Sequence, residues 1–304
     1  MKKVLITGGA GTVGSAFIRK FYNDYVFYNI SRNETQIAEL QRNFPKVKSF
    51  LGDICDLDTM INIFETVKPD IVIHAAALKH INLAEENAAT AVEINVLGSL
   101  NIIKASIRSS VPLTVGISTD KACDPDSVYG YTKRMMEHMF FQHHNQTTKF
   151  VCTRFANVAH SNGSVIPFWL SEAANGNVLK LTDVRMNRLM FSKSDAADVI
   201  SKAINYATDT TDESFILCRK MKNVKMSELI KLISGKFEII GKRPGEKLNE
   251  VLVSDKELKR TLVNGNDILI FDSEITGSNL DKEFSSLTAE CMTLNEMENL
   301  LWQK

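Results

Sequence analysis

Tyr129 and Lys133 stand four residues apart in Val128-Tyr129-Gly130-Tyr131-Thr132-Lys133. Shortly before them a hydroxyl, a carboxylate and an amine follow one another as Thr119-Asp120-Lys121. On a helix, residues i and i+4 share a face, which places the Lys133 ammonium beside the Tyr129 phenol. A phenol ordinarily ionises near pH ~10, and a fixed cation next to it lowers that value toward the range of a general base. A Tyr-x-x-x-Lys spacing alone recurs by chance. The reactive triplet before it and a glycine-rich loop at the start of the chain give it weight. The candidate catalytic set is therefore Thr119, Asp120, Lys121, Tyr129 and Lys133; the bland alternative for Asp120-Lys121 is a loop ion pair.

These residues need a scaffold. Val115-Gly116-Ile117-Ser118 reads as the end of a buried strand, and Tyr129 lies in the first turn of a helix running to about His144. Upstream, the apolar strand Lys3–Thr7 leads into Gly8-Gly9-Ala10-Gly11-Thr12-Val13-Gly14 and a helix to about Phe21. Gly8, Gly11 and Gly14 have TGxxGxxG spacing, and Gly9, Gly11 and Gly14 also satisfy GxGxxG. Such glycines permit a tight turn and close approach of backbone to a pyrophosphate, which then meets the helix N-terminus; Thr12 and Val13 in this loop are further candidate cofactor contacts. No Lys-Ser/Thr follows the last glycine, which excludes a Walker loop.

The second strand, Tyr25–Ile30, ends in Ser31-Arg32-Asn33-Glu34. A carboxylate at this place suits a ribose 2′-hydroxyl; Ser31 and Arg32 suit a 2′-phosphate, so NADP is expected ahead of NAD, with Glu34 dissenting. Gly52-Asp53-Ile54 closes the third strand, where Asp53 can accept from an adenine amino group. The strand Asp70–His74 ends in Ala75-Ala76-Ala77, small residues that leave room for a flat ring. A long amphipathic helix over about 84–109 and a sixth strand over Lys149–Val158 complete an α/β, Rossmann-type, doubly wound parallel sheet covered on both faces. Later segments read as a helix after Asn162-Gly163-Ser164, a short strand at Val178–Thr182, a helix at Asp195–Ala207, and then helix mixed with loops. The expected division is a dinucleotide-binding domain at residues 1–160, with 193–212 packing on it, and a smaller, mixed, partly interleaved substrate domain at 161–304.

Lys+Arg and Asp+Glu both number 36 in the 304 residues, so nothing draws the chain in bulk to nucleic acid or an anionic membrane. The five cysteines form no CxxC pair and read as reduced thiols, with no metal site. The start MKKVLI superficially resembles a leader, but its apolar run stops at Gly8-Gly9. No stretch approaches the ~20 apolar residues of a membrane span. A soluble, cytoplasmic protein is expected.

Taken together, TGGAGTVG, HAAALKHINLAE, STDKACDPDSVYGYTK, TRFANVAHSNGSVIPFW, LTDVRMNR and GKRPGEKLNE resemble an extended short-chain dehydrogenase/reductase. More closely, they resemble the UDP-N-acetylglucosamine 4,6-dehydratases of the inverting, pseudaminic-acid type in the capsule and flagellar-sugar family. The likeness spans residue 7 to about 250. The glycine motif specifies only the superfamily; HAAALKH, STDKA before YxxxK, and RPGEK are far more specific. The chain departs from it at Arg154-Phe155-Ala156-Asn157, where the family shows Arg-Tyr-Gly-Asn, and at Ser161-Asn162-Gly163-Ser164, where a cation is missing. Some retaining relatives have methionine for the tyrosine, so Tyr129 leans toward the inverting branch.

The chemistry such an enzyme performs makes specific demands. The C5 proton of a sugar becomes acidic only when C4 is a ketone, so hydride must leave C4 for NADP⁺ while Tyr129, with Lys133 and Thr119, takes the O4 proton. The resemblance implies Asp120 as acid at O6 and Lys121 as base at C5, with hydride returning to C6. Asp120 must then be protonated and Lys121 neutral, its pKa lowered by burial or nearby positive charge. For the substrate, Lys79, His80, Asn157, Arg188, Arg243 and Glu246 are candidates, with Arg185 competing for the place of Arg188. The resemblance also implies a homo-oligomer, with contact surfaces around 84–109 and 128–144. A UDP-sugar 4-epimerase, which needs only Thr119, Tyr129 and Lys133, is the alternative; a non-catalytic NADP-binding subunit is a third reading.

Overall fold

The computed structural model describes residues 1–145, 147–242 and 245–302. The first half alternates strand and helix: β1 (Lys3–Thr7), α1 (Thr12–Lys20), β2 (Val26–Ser31), α2 (Glu34–Asn43), β3 (Lys48–Leu51), α3 (Leu57–Val67) and β4 (Ile71–His74). It continues through α4 (Ile81–Glu86), α5 (Ala88–Val92), a π turn at Glu93–Leu97, α6 (Gly98–Arg108), β5 (Leu113–Thr119), α7 (Val128–His143) and β6 (Lys149–Phe155). Val4, Leu5 and Ile6 in β1, and Ile71, Val72 and Ile73 in β4, are buried on both faces. Continuous apolar runs of this kind form central parallel strands with helices on each side.

The second half contributes β7 (Asn157–Val158), α8 (Val165–Ala174), β8 (Leu179–Leu181), β9 (Asn187–Phe191), α9 (Lys193–Asn205), β10 (Phe215–Arg219), β11 (Lys222–Lys225) and α10 (Met226–Ile233). It ends with β12 (Phe237–Ile239), β13 (Val251–Val253), β14 (Thr261–Asn264), β15 (Asp267–Phe271), β16 (Phe284–Ser285) and α11 (Leu294–Trp302). The main sheet has nine strands in the order β14-β15-β10-β6-β5-β4-β1-β2-β3. From β3 to β10 neighbouring strands are parallel; β15 and β14 are added antiparallel at the edge. The doubly wound α/β class read from the sequence holds, and the strand order reverses between β1 and β4, where such sheets open a ligand crevice.

Three segments differ from the expected elements. The long helix over 84–109 begins at Ile81, breaks at Asn87 and carries the π turn. That turn brings Asn95 inward: its Oδ1 accepts from the Leu78 N–H at 2.8 Å, and its Nδ2 donates to the Leu78 carbonyl and to Thr132 Oγ1, each at 3.0 Å. The turn thus ties the loop after β4 to α7, the kind of local task π turns serve. The expected sixth strand is two strands, because the chain turns at Ala156 and Asn157–Val158 pairs with β9 in a separate sheet. Finally, the stretches read as loops after residue 214 hold β10, β14 and β15, which extend the main sheet.

A buried ion cluster joins these late strands to the early ones. Arg154 in β6 is fully buried and donates to Glu137 of α7 at 2.9 and 2.8 Å and to Glu257 at 3.0 and 2.9 Å. Glu257 follows β13 and also accepts from Cys123 Sγ at 3.2 Å, while Glu137 accepts from Ser118 at 2.7 Å. Two bidentate arginine–carboxylate pairs, completed by further donors, are the arrangement that lets charges stay buried.

Candidate active site

A single cavity of about 1090 Å³ runs from the glycine loop, past the ends of β4 and β5, to Arg188 and Glu246. It exceeds the ~300–1,000 Å³ usual for one small ligand, which suits two ligands lying end to end. Among the expected cofactor residues, Gly8, Gly11, Thr12, Val13 and Gly14 line one end of it. Ser31, Arg32, Ile54, Ala75 and Ala76 line the same end. Gly8 sits at φ +71°, and a Cβ there would lie 2.9 Å from the Ala76 backbone nitrogen; only glycine lets the loop lie this close to the end of β4. The loop and the start of α1 therefore keep the open backbone cradle that a dinucleotide pyrophosphate requires. Asp53 is placed differently from the expectation. It is not among the cavity-lining residues; it holds Arg32 at 3.2 Å and accepts from the Cys55 backbone N–H at 3.0 Å.

At the centre, Thr119, Lys121, Tyr129 and Lys133 line the cavity, and Asp120 is buried just behind them. The positioning is local. Ser127 caps α7 by accepting from the Gly130 N–H at 3.2 Å. Gly130 itself packs onto the preceding turn, since a Cβ there would lie 2.4 Å from the Lys121 carbonyl oxygen. The missing side chain brings Tyr129 against Lys121. Asp120 Oδ1 accepts from Thr119 Oγ1 at 2.9 Å, from the Lys121 backbone N–H at 2.9 Å and from Lys121 Nζ at 3.1 Å. Its Oδ2 is buried without a partner among the described residues.

Electrostatics overturn two expectations. Burial pushes the Tyr129 phenol up to about 12; Lys121 and the Thr119 hydroxyl pull it down, and Asp120 pushes it up again. The expected lowering by Lys133 is not what the structure gives, because the Lys133 amine donates to Met136 Sδ at 3.1 Å and burial pushes it down to about 8. Burial also disfavours a charged Lys121, but Asp120 and Glu250 outweigh it and hold the amine above the ordinary lysine value. The neutral Lys121 expected from the sequence is therefore not the resting state. Asp120 contributes most to this; the second contributor, Glu250, sits with its Oε1 3.5 Å from Lys121 Nζ and was missed by sequence reasoning. No motif marks it, and only the fold brings it next to β5.

At the substrate end, Lys79, His80, Asn157, Arg188 and Glu246 all line the cavity. The Arg188 guanidinium is pinned by backbone carbonyls of Asn187 (2.8 Å), Leu248 (3.1 Å) and Lys247 (2.8 Å), with Glu246 at 3.9 Å. Arg185, its competitor, is exposed and pairs with Asp183 at 2.7 Å. Asn157 Nδ2 donates to the Leu189 carbonyl at 3.1 Å. Arg243 lies outside the described residues. The loop Ser161–Ser164 crosses the cleft as a strap: the Asn162 N–H donates to Thr12 Oγ1 at 3.0 Å, and Lys79 Nζ donates to the Asn162 carbonyl at 2.7 Å. Both contacts use the Asn162 backbone, so the side chain at this departure is not what fastens the strap. Behind the site, His74 is fully buried between Thr7 Oγ1 (2.8 Å) and Ser99 Oγ (2.9 Å), and burial pushes it down to about 3. Among the described residues there is no group of three or more His, Cys, Asp or Glu able to hold a metal, and no helix long and apolar enough to cross a membrane.

A Rossmann-type sheet with a glycine loop, a Tyr-Lys helix and an elongated cleft defines an extended short-chain dehydrogenase/reductase of the kind that remodels nucleotide sugars. The chain belongs to the polysaccharide biosynthesis protein family, which it matches over residues 4–271. It is 34% identical over 268 residues to UDP-N-acetylglucosamine 4,6-dehydratase (inverting) of Campylobacter jejuni, covering 84% of this chain and 78% of that protein. It is 31% identical over 283 residues to UDP-glucose 4-epimerase of Rickettsia bellii, covering 87% of this chain and 81% of that protein. The X-ray structure of Pen from Bacillus thuringiensis superposes with a TM-score of 0.90 at 29% identity, covering 99% of this chain and 96% of that one.

Proposed function

We propose that this protein is a UDP-N-acetylglucosamine 4,6-dehydratase, inverting at C5, with NADP as its resident dinucleotide. The observation that carries the reading is the Asp120–Lys121 pair, 3.1 Å apart, with Lys121 lining the same cleft as Tyr129 and Asp120 buried behind it. An epimerase needs a base for O4 and no second acid–base pair. The glycine loop, Ser31 and Arg32 would hold the dinucleotide, which when bound supplies the hydride acceptor and donor. Tyr129 takes the O4 proton. Lys121 takes the C5 proton, now acidic beside the C4 carbonyl, and Asp120 gives a proton to the departing O6. Ser31 and Arg32 at the end of β2, where NAD-selective sites carry a carboxylate, favour the 2′-phosphate. Lys79, His80, Asn157, Arg188 and Glu246 would hold the sugar nucleotide, with Arg243 as a further candidate. The start of α8 faces the same space, and its free N–H groups favour a diphosphate.

The Rickettsia relative favours a second reading, a UDP-sugar 4-epimerase on the same scaffold. Incubation with UDP-N-acetylglucosamine in deuterated water separates the two. The expected product is lighter by one water and carries deuterium at C5; an isomer of unchanged mass would make the protein an epimerase. We also read the chain as a cytoplasmic homo-oligomer serving surface-glycan synthesis, with residues 1–160 holding the dinucleotide and 161–304, whose β10, β14 and β15 join the main sheet, adding Arg188 and Glu246 to a sugar site shared with Lys79, His80 and Asn157. Exposed Val92, Leu97, Tyr131 and Met135 on the α5–α7 face suit contact between copies.

A further inference from the structure

We propose that Glu250 is the proton partner of Lys121, taking a proton from its ammonium across their 3.5 Å contact and so freeing the amine to act as a base. The inference rests on the dehydratase reading, since that reaction requires an uncharged Lys121. Glu250 is 4% exposed, lines the cavity, and is fixed through its backbone: its N–H donates to Ser286 Oγ at 3.0 Å, and its carbonyl accepts from the Ser286 N–H at 2.9 Å. The charged groups facing it are Lys121, Asp120, Arg188 and Lys247. Arg188 is held by backbone carbonyls, and Lys247 by Asp124 at 2.9 Å, so Lys121 is the amine placed to exchange a proton with it. Asp120 already accepts two further donors at the oxygen that meets Nζ. Burial holds the Glu250 carboxyl above its ordinary range, against the pull of Lys121, so its acid form is within reach.

The step balances. The Nζ–H bond breaks and a Glu250 Oε1–H bond forms, turning an ammonium and a carboxylate into an amine and an acid with no change in net charge. The amine lone pair then takes the C5 proton, and the C5–H electrons move toward the C4 carbonyl oxygen. As they return, the C6–O6 bond breaks and Asp120 protonates the leaving oxygen. Asp120 enters this step as the acid; Lys121 ends as an ammonium, Asp120 as a carboxylate, Glu250 as an acid, and one water is released, after which the Glu250 proton passes to Asp120 and restores the starting set.

Glu250→Gln keeps the shape and removes the acceptor, whereas Glu250→Asp keeps the acceptor. With UDP-N-acetylglucosamine, Glu250→Gln should lower kcat for water loss and C5 deuteration by about 10²-fold or more, a general-base effect. KM should be unchanged, the pH profile should lose one ionisation, and Glu250→Asp should recover part of the rate. A mere counter-charge predicts the opposite sign, because its removal makes Lys121 easier to deprotonate. Full activity in Glu250→Gln with the profile moved to lower pH therefore overturns the proposal, as does a loss expressed in KM alone. A second measurement needs no substrate: ¹³C-methylation of lysines, with Lys121 assigned by Lys121→Arg, and an NMR titration. With the coupling to Asp120 common to both proteins, Lys121 should show one coupled step more in the wild type than in Glu250→Gln. The same number of steps in both rejects the exchange even in a working dehydratase. The extra step in a protein that dehydrates no nucleotide sugar would uphold the exchange and reject the reaction.

Discussion

Tyr129 occupies a place where burial works against the ionised form its chemistry needs, and this fixes how its activity should respond to pH. With the phenol pushed up to about 12, its basic form grows as pH rises, so kcat/KM should climb from neutral into alkaline solution. Tyr129→Phe should lose about 10²–10⁴-fold, the range of a single general base. A steady-state pH series on both proteins checks this; a flat wild-type profile would remove Tyr129 as the base. Tyr129 and Lys121 were legible from the sequence because their types and spacing are local. Their protonation was not, because it depends first on burial, which only the fold sets, and for Lys121 also on Asp120 and on Glu250, brought up from a distant segment.

Among the elements, the strongest coupling is the cluster that joins β6 to α7 and to the turn after β13. Arg154→Ala leaves Glu137 and Glu257 buried without their cation, and should cost about 3–5 kcal/mol in urea unfolding. The cluster also has a pH signature. Burial alone would raise the Glu257 carboxyl, but Arg154 and the neighbouring donors outweigh it and hold it below the usual glutamate value. The folded state therefore binds that proton less readily than the unfolded chain. The stabilisation is full above the ordinary value near ~4.3 and drains away as pH falls below it. Urea midpoints measured down that range should fall less steeply in Glu257→Gln than in the wild type; parallel curves would show that Glu257 is not the group responsible. The glycine loop and the first strands were readable because their apolar runs and punctuation are strong. Strands β10, β14 and β15 were not. Phe215-Ile216-Leu217-Cys218 and Ile268-Leu269-Ile270 are buried throughout, so no alternation marks them, and each is too short to be told from a buried loop by period.

For the whole molecule, the cleft is one continuous space whose two ends are closed differently. The Ser161–Ser164 strap is fastened to Thr12 on one flank and to Lys79 on the other. On the reading proposed above, an atom lifted from one guest should be handed back to that same guest before it departs. When C4-deuterated and unlabelled UDP-N-acetylglucosamine are mixed, each product molecule should carry only its own parent's isotope. Label traded between parents, seen by mass spectrometry, would mean that the clasp lets go on every cycle.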